Sequence, residues 1–402
     1  MRTTRCTTVA MLGVLALATA CTQQETAPPD TTAVDPVVRP VARDDATASA
    51  GPGAVPVTTP GTPAAPVYRV FRDVVVGCDN ARRCAAIGVT DGAPGLVLSL
   101  TRDAGADGAQ VLELRAPWGD LDAATLRLDG VPVPALVALP WQHEAEESQA
   151  LRIEDPQAIT RFIDLVRDGR RLDDGRERSV SLSGLNAALL YIDDHQQRLD
   201  TPGAWVRRGE RDAVGVPAGP ALPVLAAPAS TPPALPDADA QRLIRSVRAS
   251  QSAVLRAEDC EAAGGEYDIA RQDAAAPLDA SHALVFVACY SGAYQGSSLV
   301  FRAARDGSEV VRLTLPGLAM SDDIERSDTY DLLVSPGFDP GVGMLSQYAK
   351  GRGIGDCGYH AAWQFDGQAF HLAHYAEMQQ CGGLTDDDWP VLWRVAGPAA
   401  AP

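Results

Sequence analysis

The sequence predicts an α+β protein: two disulfide-stapled, β-rich domains with a few helices, joined by a proline-rich linker. Three observations predict it. Short β-like runs recur with turn dipeptides such as Asp91-Gly92, Asp107-Gly108 and Asp129-Gly130 between them. Helical periodicity surfaces only in isolated stretches after those runs. Two proline-crowded segments without any sustained period divide the 402 residues.

The chain opens with Arg2 and Arg5, then Val9 to Ala20, apolar apart from Thr19. That run is about a dozen residues where a membrane-spanning helix needs about 20, so residues 1–20 read as a secretory signal peptide. It closes on Leu17-Ala18-Thr19-Ala20-Cys21. These residues resemble the lipobox of bacterial lipoproteins, which implies that Cys21 is acylated and becomes the first residue of the mature chain. Thr22, rather than Asp, follows it, so the inner-membrane retention signal is missing and the resemblance implies the periplasmic side of the outer membrane. Without acylation of Cys21 the chain would be free in the periplasm. Residues 21–66 are rich in Thr, Ala, Pro and Val. They bury too little apolar surface to offset ordering entropy and read as a disordered tether.

The first domain is placed at 67–210, with strands at Tyr68–Val76, Ala85–Val89, Leu96–Thr101, Val111–Arg115 and Thr125–Leu128. Asp155-Pro156 supplies an N-cap and a first-turn proline; Ile159, Phe162, Ile163 and Val166 then share one face before Gly169. A second helix starts at Ser183, with Leu185, Ala188, Leu189 and Ile192 aligned. Residues 211–236 hold seven prolines between Pro217 and Pro236 and read as an extended spacer. The second domain is placed at 237–396, followed by a tail at 397–402. Asp237 or Asp239 is expected to cap a helix bearing Leu243, Ile244, Val247 and Val254. Strands follow at Ala283–Tyr290, Leu299–Ala304, Val310–Leu315 and Tyr330–Val334, and a hairpin turns at Asp366-Gly367. Trp363, Trp389 and Trp393 suggest an aromatic-rich core or a ligand platform, core being preferred.

Past Cys6 and Cys21 stand six cysteines: Cys78, Cys84, Cys260, Cys289, Cys357 and Cys381. An even number in an exported chain argues for disulfides. Six cysteines allow 15 connectivities; sequential pairing is the simplest, because each pair then lies inside one apparent unit. Zinc would call for closely spaced ligand pairs such as Cys-x-x-Cys, and there are none. The net charge of −18 falls to −20 once Arg2 and Arg5 leave with the signal. So anionic a chain excludes broad electrostatic attraction to nucleic acid.

Several stretches together resemble the bacterial domain-of-unknown-function 1176 family of exported proteins. They are Gly351-Arg352-Gly353-Ile354-Gly355-Asp356-Cys357-Gly358, Trp363-x-Phe365-Asp366-Gly367, Glu377-Met378 leading to Cys381, and Asp388-Trp389-Pro390-x-Leu392-Trp393-Arg394. Cys78-Asp79-Asn80-x-Arg82-x-Cys84, Ala187 to Asp193 and Cys289-Tyr290-Ser291-Gly292-Ala293-Tyr294 fit as well. The resemblance implies export and carries over no catalytic residue. The early cysteine pair, the helix ending at Gly169 and the stretch Ser179 to Gly184 make the first domain similar to the invasion-associated locus B family, a hint about fold alone.

No phosphate-binding loop, dinucleotide fingerprint or Gly-x-Ser-x-Gly elbow is present. His371, His374 and Glu377 would share a helical face, but the hairpin makes them strand residues, so no metal site is assigned. His143-Glu144 lacks the second histidine of a zinc-protease helix. Asp386-Asp387-Asp388 reads as a solvated acidic loop and not as a calcium loop. Lys350, Arg352, Asp356, Trp363 and Trp389 are the candidates for a ligand or partner loop. No cofactor and no catalytic residue are assigned. The expected function is a non-enzymatic envelope lipoprotein with a binding or assembly role, contacting the membrane through its lipid and an envelope protein as partner. The alternatives are a periplasmic hydrolase using His360 or His374 with a nearby acid, and a periplasmic inhibitor presenting the Gly351–Gly358 loop.

Overall fold

A computed structural model describes residues 63–90, 95–144, 147–260, 268–320 and 327–397. The signal, Cys21 and the tether up to residue 62 lie outside the described residues. No helix among the described residues is long and apolar enough to cross a membrane.

The first sheet is an antiparallel meander of β1 (Val67–Phe71), β2 (Val74–Cys78), β3 (Cys84–Gly88), β4 (Val97–Arg102) and β5 (Gln110–Arg115), extended by Glu147–Ile153 and Gln142–Glu144. One strand expected over Tyr68–Val76 is therefore two. The chain reverses at Arg72, whose φ of 57° is left-handed, and no glycine announces the turn. Helices Pro156–Val166 and Leu185–His195 cover one face of this sheet. The first is capped as its sequence suggests, Asp155 accepting from Ala158 N at 2.6 Å. Helix Asp237–Ser250 differs from expectation. Its N-cap is Pro236, which has no side chain able to bond, and Asp237 and Asp239 sit in the first turn, where they complement the helix dipole.

A second sheet runs through Ala274–Pro277, His282–Ser291, Gly296–Ala304 and Val310–Arg312, with Leu332–Val334 also paired to Gly296–Ala304. A third holds Gly337–Asp339, Met344–Lys350, Gly358–Phe365, Phe370–Met378 and Val391–Arg394. The hairpin at Asp366-Gly367 is present, closed by Asp366 N donating to Ala369 O at 3.1 Å, with Gly367 at φ 100°.

Antiparallel sheets usually wet one face, yet the first two sheets here carry core residues on both. Val74, Val76 and Cys78 point into the helix-covered core, while Val75 between them joins a second core with Leu284, Phe286, Leu345, Trp363, Tyr375 and Leu392. In the second sheet, Val285, Val287, Leu299 and Phe301 pack on helix Asp237–Ser250, whereas Leu284, Phe286 and Val300 turn to the shared core. Residues 58–402 accordingly group as one compact unit. Apolar runs such as Val74-Val75-Val76 have partners on both sides within it.

The proline-rich stretch lies along this unit. Pro223 O accepts from Ala396 N at 2.7 Å, and Pro233 O accepts from Arg305 at 2.6 Å. The three disulfides pair in sequence order, Cys78–Cys84, Cys260–Cys289 and Cys357–Cys381.

Candidate functional site

The helix-free face of the first sheet is only partly covered by the C-terminal segment, and a cleft of about 480 Å³ remains between them. Alternation along the strands decides what it shows. Leu112 and Leu114 of β5 face the helices, so Val111, Glu113 and Arg115 face the cleft. Register then builds a row across four strands, because Ile87 opposes Ser99, Ser99 opposes Glu113, and Glu113 opposes Arg152. Thr101 stands in the neighbouring row, between Ala85 and Val111. Leu384, Asp387, Asp388, Trp389, Pro390 and Arg394 line the other wall.

The charges form a linked chain. Glu113 accepts from Arg115 at 2.8 Å and from Arg152 at 3.5 Å, and Arg152 also bonds Glu154 at 2.8 Å. Arg115 Nε reaches Asp388 at 3.5 Å, and Thr385 Oγ1 donates to Asp388 at 2.9 Å. Burial pushes the Asp388 carboxyl up from its ordinary value, against the pull of Arg115 and Thr385. At one end, Asp79 Oδ1 accepts from Ala81 N and Arg83 N, both at 2.8 Å, while Oδ2 accepts from Arg394 Nε at 2.5 Å. Asn80 adds a reciprocal pair, donating to Arg394 O at 3.0 Å and accepting from Arg394 N at 3.1 Å. Asp79-Asn80 and Arg394 are thus bonded to each other. Gly77 is needed at this seam, since a Cβ there would lie 2.5 Å from Pro390 Cβ.

The proposed ligand loop is divided by the structure. Lys350, Arg352 and Asp356 share the turn after Met344–Lys350. Arg352 binds Asp356 at 2.5–2.6 Å, and Asp356 also accepts from Gly383 N at 2.8 Å. Burial alone would raise Asp356, but Arg352 and Gly383 N–H bring it below the usual carboxylate range. Gly355 N donates to Arg352 O and Tyr348 OH to Gly355 O, which leaves Ile354 exposed at the tip. Trp363 does not join this turn. It is buried in the shared core, with Nε1 donating to Pro316 O at 2.7 Å. Trp389 is also buried and forms part of the cleft wall.

His371 bonds Asp366 at 2.8 Å on the surface, away from His374. His360 and His374 pack with ring centroids 5.2 Å apart. Burial lowers both, His374 to about 4 with His360 adding to the effect. Among the described residues, the groups with metal-like proximity are Cys78, Cys84 and His195, and Asp356, Cys357 and Cys381. In each, two of the three ligands are sulfurs committed to a disulfide, which are not thiolate donors.

Sequence reasoning overlooked Glu113, Arg115 and Arg152. The signal available was the alternation of charge with leucine in Val111-Leu112-Glu113-Leu114-Arg115, which marks a strand with one polar side.

Fold and cleft define a layered, disulfide-bridged α+β protein whose described residues form a charged groove between the first sheet and the C-terminal segment. The chain belongs to the family described as protein of unknown function (DUF1176), whose model matches residues 68–396. It is 33% identical over 344 residues to the Escherichia coli (strain K12) protein named "Uncharacterized protein YpfG", covering 82% of this chain and 93% of that one. No solved structure matches it.

Proposed function

We propose that this is an envelope lipoprotein, anchored through acylated Cys21 on the periplasmic side of the outer membrane, whose role is binding or assembly and not catalysis. The observation that supports a binding role is the cleft itself. The stretches that carry the family resemblance, Cys78 to Cys84 and Asp388 to Arg394, meet at its wall, and ion pairs hold its side chains in place. Its volume suits a small molecule. Among the described lining residues the hydroxyls of Ser99 and Thr101 have no histidine beside them, so the arrangement favours holding a ligand over activating a nucleophile. Native mass spectrometry of protein purified from envelopes tests this reading. A small-molecule adduct is expected on the wild type and lost in Ser99→Trp, which fills the cleft. An adduct that persists in the filled variant removes the cleft from the reading.

The Gly351–Gly358 turn favours a second reading, a periplasmic enzyme inhibitor. Its internal bonds and the Cys357–Cys381 bridge pre-organise it, and Ile354 is exposed at its tip. Under that reading Ile354→Glu abolishes partner capture without lowering stability.

A further inference from the structure

We propose that the proline-rich stretch from Pro223 to Pro233 is a strap that acid releases: charging the His360–His374 pair beneath it lifts the strap from the face of the third sheet turned away from the shared core. This goes beyond the binding reading and does not depend on it.

The first support is how lightly the strap is held. Its ends are fixed, since Pro223 O accepts from Ala396 N at 2.7 Å and Pro233 O from Arg305 at 2.6 Å. Between them, residues 224–232 make no hydrogen bond to any described residue. Packing alone keeps them down. Leu225 is half-buried, and Pro228 lies against Gly343, where a Cβ would stand 3.0 Å from the proline Cγ. Prolines hold such a stretch extended without internal hydrogen bonds, so it moves as a unit.

The second support lies underneath. Leu225 and Ala227 roof a cavity of about 230 Å³ whose floor includes Ala362, Ala373 and His374, with Val395 at its side. His360 packs against His374 with ring centroids 5.2 Å apart, and it is 4% exposed. Neither imidazole has a hydrogen-bond partner among the described residues, and His360 Nε2 is fully enclosed. A second N–H on either ring therefore finds no acceptor, and a buried charge without one is costly.

The third support is what surrounds the pair. Residues 213–236 contain no ionisable side chain, and neither do 395–397 or the sheet residues of the cavity other than His374. The strand Met344–Lys350 opposes His360 with Tyr348, whose hydroxyl donates to Gly355 O. The strand Val391–Arg394 opposes His374 with Arg394, whose guanidinium is committed to Asp79. Exposed Asp387 favours the charged form of His360, and burial outweighs it. Among the described residues Asp387 is thus the one acid set against two positive rings while the strap is down. With the strap up, water solvates both.

Thiol accessibility under the strap tests the proposal. Leu225→Cys is placed in the full chain with Cys6→Ser and Cys21→Ser, so that the other six cysteines are paired and the new thiol is free. A pyridyl disulfide, which reacts with thiols in mild acid as well as at neutrality, labels it. Rates are divided by those of Val131→Cys, at a position 62% exposed. An imidazole held at about 4 that regains its ordinary value of about 6.5 on opening favours the open form at least about tenfold more at pH 5 than at pH 7. The normalised rate is therefore expected to rise about tenfold or more between pH 7 and pH 5, with tryptophan emission unchanged. His374→Gln is expected to flatten the rise and His360→Gln to reduce it, the second serving if the first does not fold. A rate that does not change with pH, or a rise that the histidine variants keep in full, overturns the proposal. So does a rise that comes only with a shift in tryptophan emission, because the whole unit then opens and not the strap.

Discussion

Arg394→Met tests whether the two halves of the chain stand or fall together. The guanidinium bonds Asp79 Oδ2 at 2.5 Å, and the carboxylate it meets is almost wholly buried. The substitution keeps the aliphatic stem and removes the partner. Oδ1 retains its bonds from Ala81 N and Arg83 N, but Oδ2 is left charged, buried and unpaired. Breaking a fully buried pair costs about 3–5 kcal/mol. Arg394 is one-third exposed, so solvent screens part of the interaction and about 2–3 kcal/mol is the expected loss. With an m-value near 3 kcal/mol/M for a chain of this size, the urea midpoint falls by roughly 0.7–1 M. Tryptophan fluorescence and far-UV circular dichroism should move together, because the contact joins positions 315 residues apart inside one unit. Asp79→Asn combined with Arg394→Met should recover at least about 1 kcal/mol relative to additivity. A midpoint shift under about 0.2 M, two separated transitions, or strict additivity would each refute the reasoning.

Further outcomes follow from the same geometry. Gly77→Ala should lower stability by about 1–3 kcal/mol, since its Cβ would meet Pro390 Cβ at 2.5 Å; a neutral result in the same urea assay would mean that the seam opens freely. His374 is lowered to about 4 by burial, and His360 is lowered as well. Below about pH 6.5 the unfolded chain binds protons that the folded chain refuses, so this contribution is complete above pH 6.5 and is lost as pH falls toward about 4. The urea midpoint of the wild type should drop across that window, and that of His374→Gln should drop less. Cys21→Ser should abolish incorporation of radiolabelled palmitate, and undiminished labelling would place the acylation elsewhere.

The parts of the fold legible in the sequence are those decided by neighbours along the chain. Asp155-Pro156 starts a helix because an N-cap and a first-turn proline act within one turn. Asp366-Gly367 turns a hairpin for the same local reason. The Tyr68–Val76 run hid a reversal at Arg72 because an arginine in left-handed conformation leaves no mark in composition. Strands such as Met344–Lys350 escaped notice because Ser346 and Gln347 interrupt the apolar pattern. The cleft was illegible for a different reason. Its row Ser99, Glu113 and Arg152 exists only through the register of three strands, and its other wall comes from Leu384 to Arg394. Nothing local in either stretch specifies the other.

Placing the charged groove at this seam has a thermodynamic consequence. The apolar faces of Val75, Ile87 and Val97 are closed by the C-terminal half, and the uncovered remainder of the same face is the cleft. A ligand held in the cleft therefore bridges the same two walls that Arg394 and Asp79 already join. Binding to the folded chain alone adds about 2.7 kcal/mol at a hundredfold excess over Kd, about the size of the loss expected for Arg394→Met. A ligand held between the walls should accordingly restore much of that variant's stability. An adduct bound elsewhere would leave the Asp79 carboxylate as unpaired as before, and its stabilisation would carry no sign of the Ser99→Trp substitution.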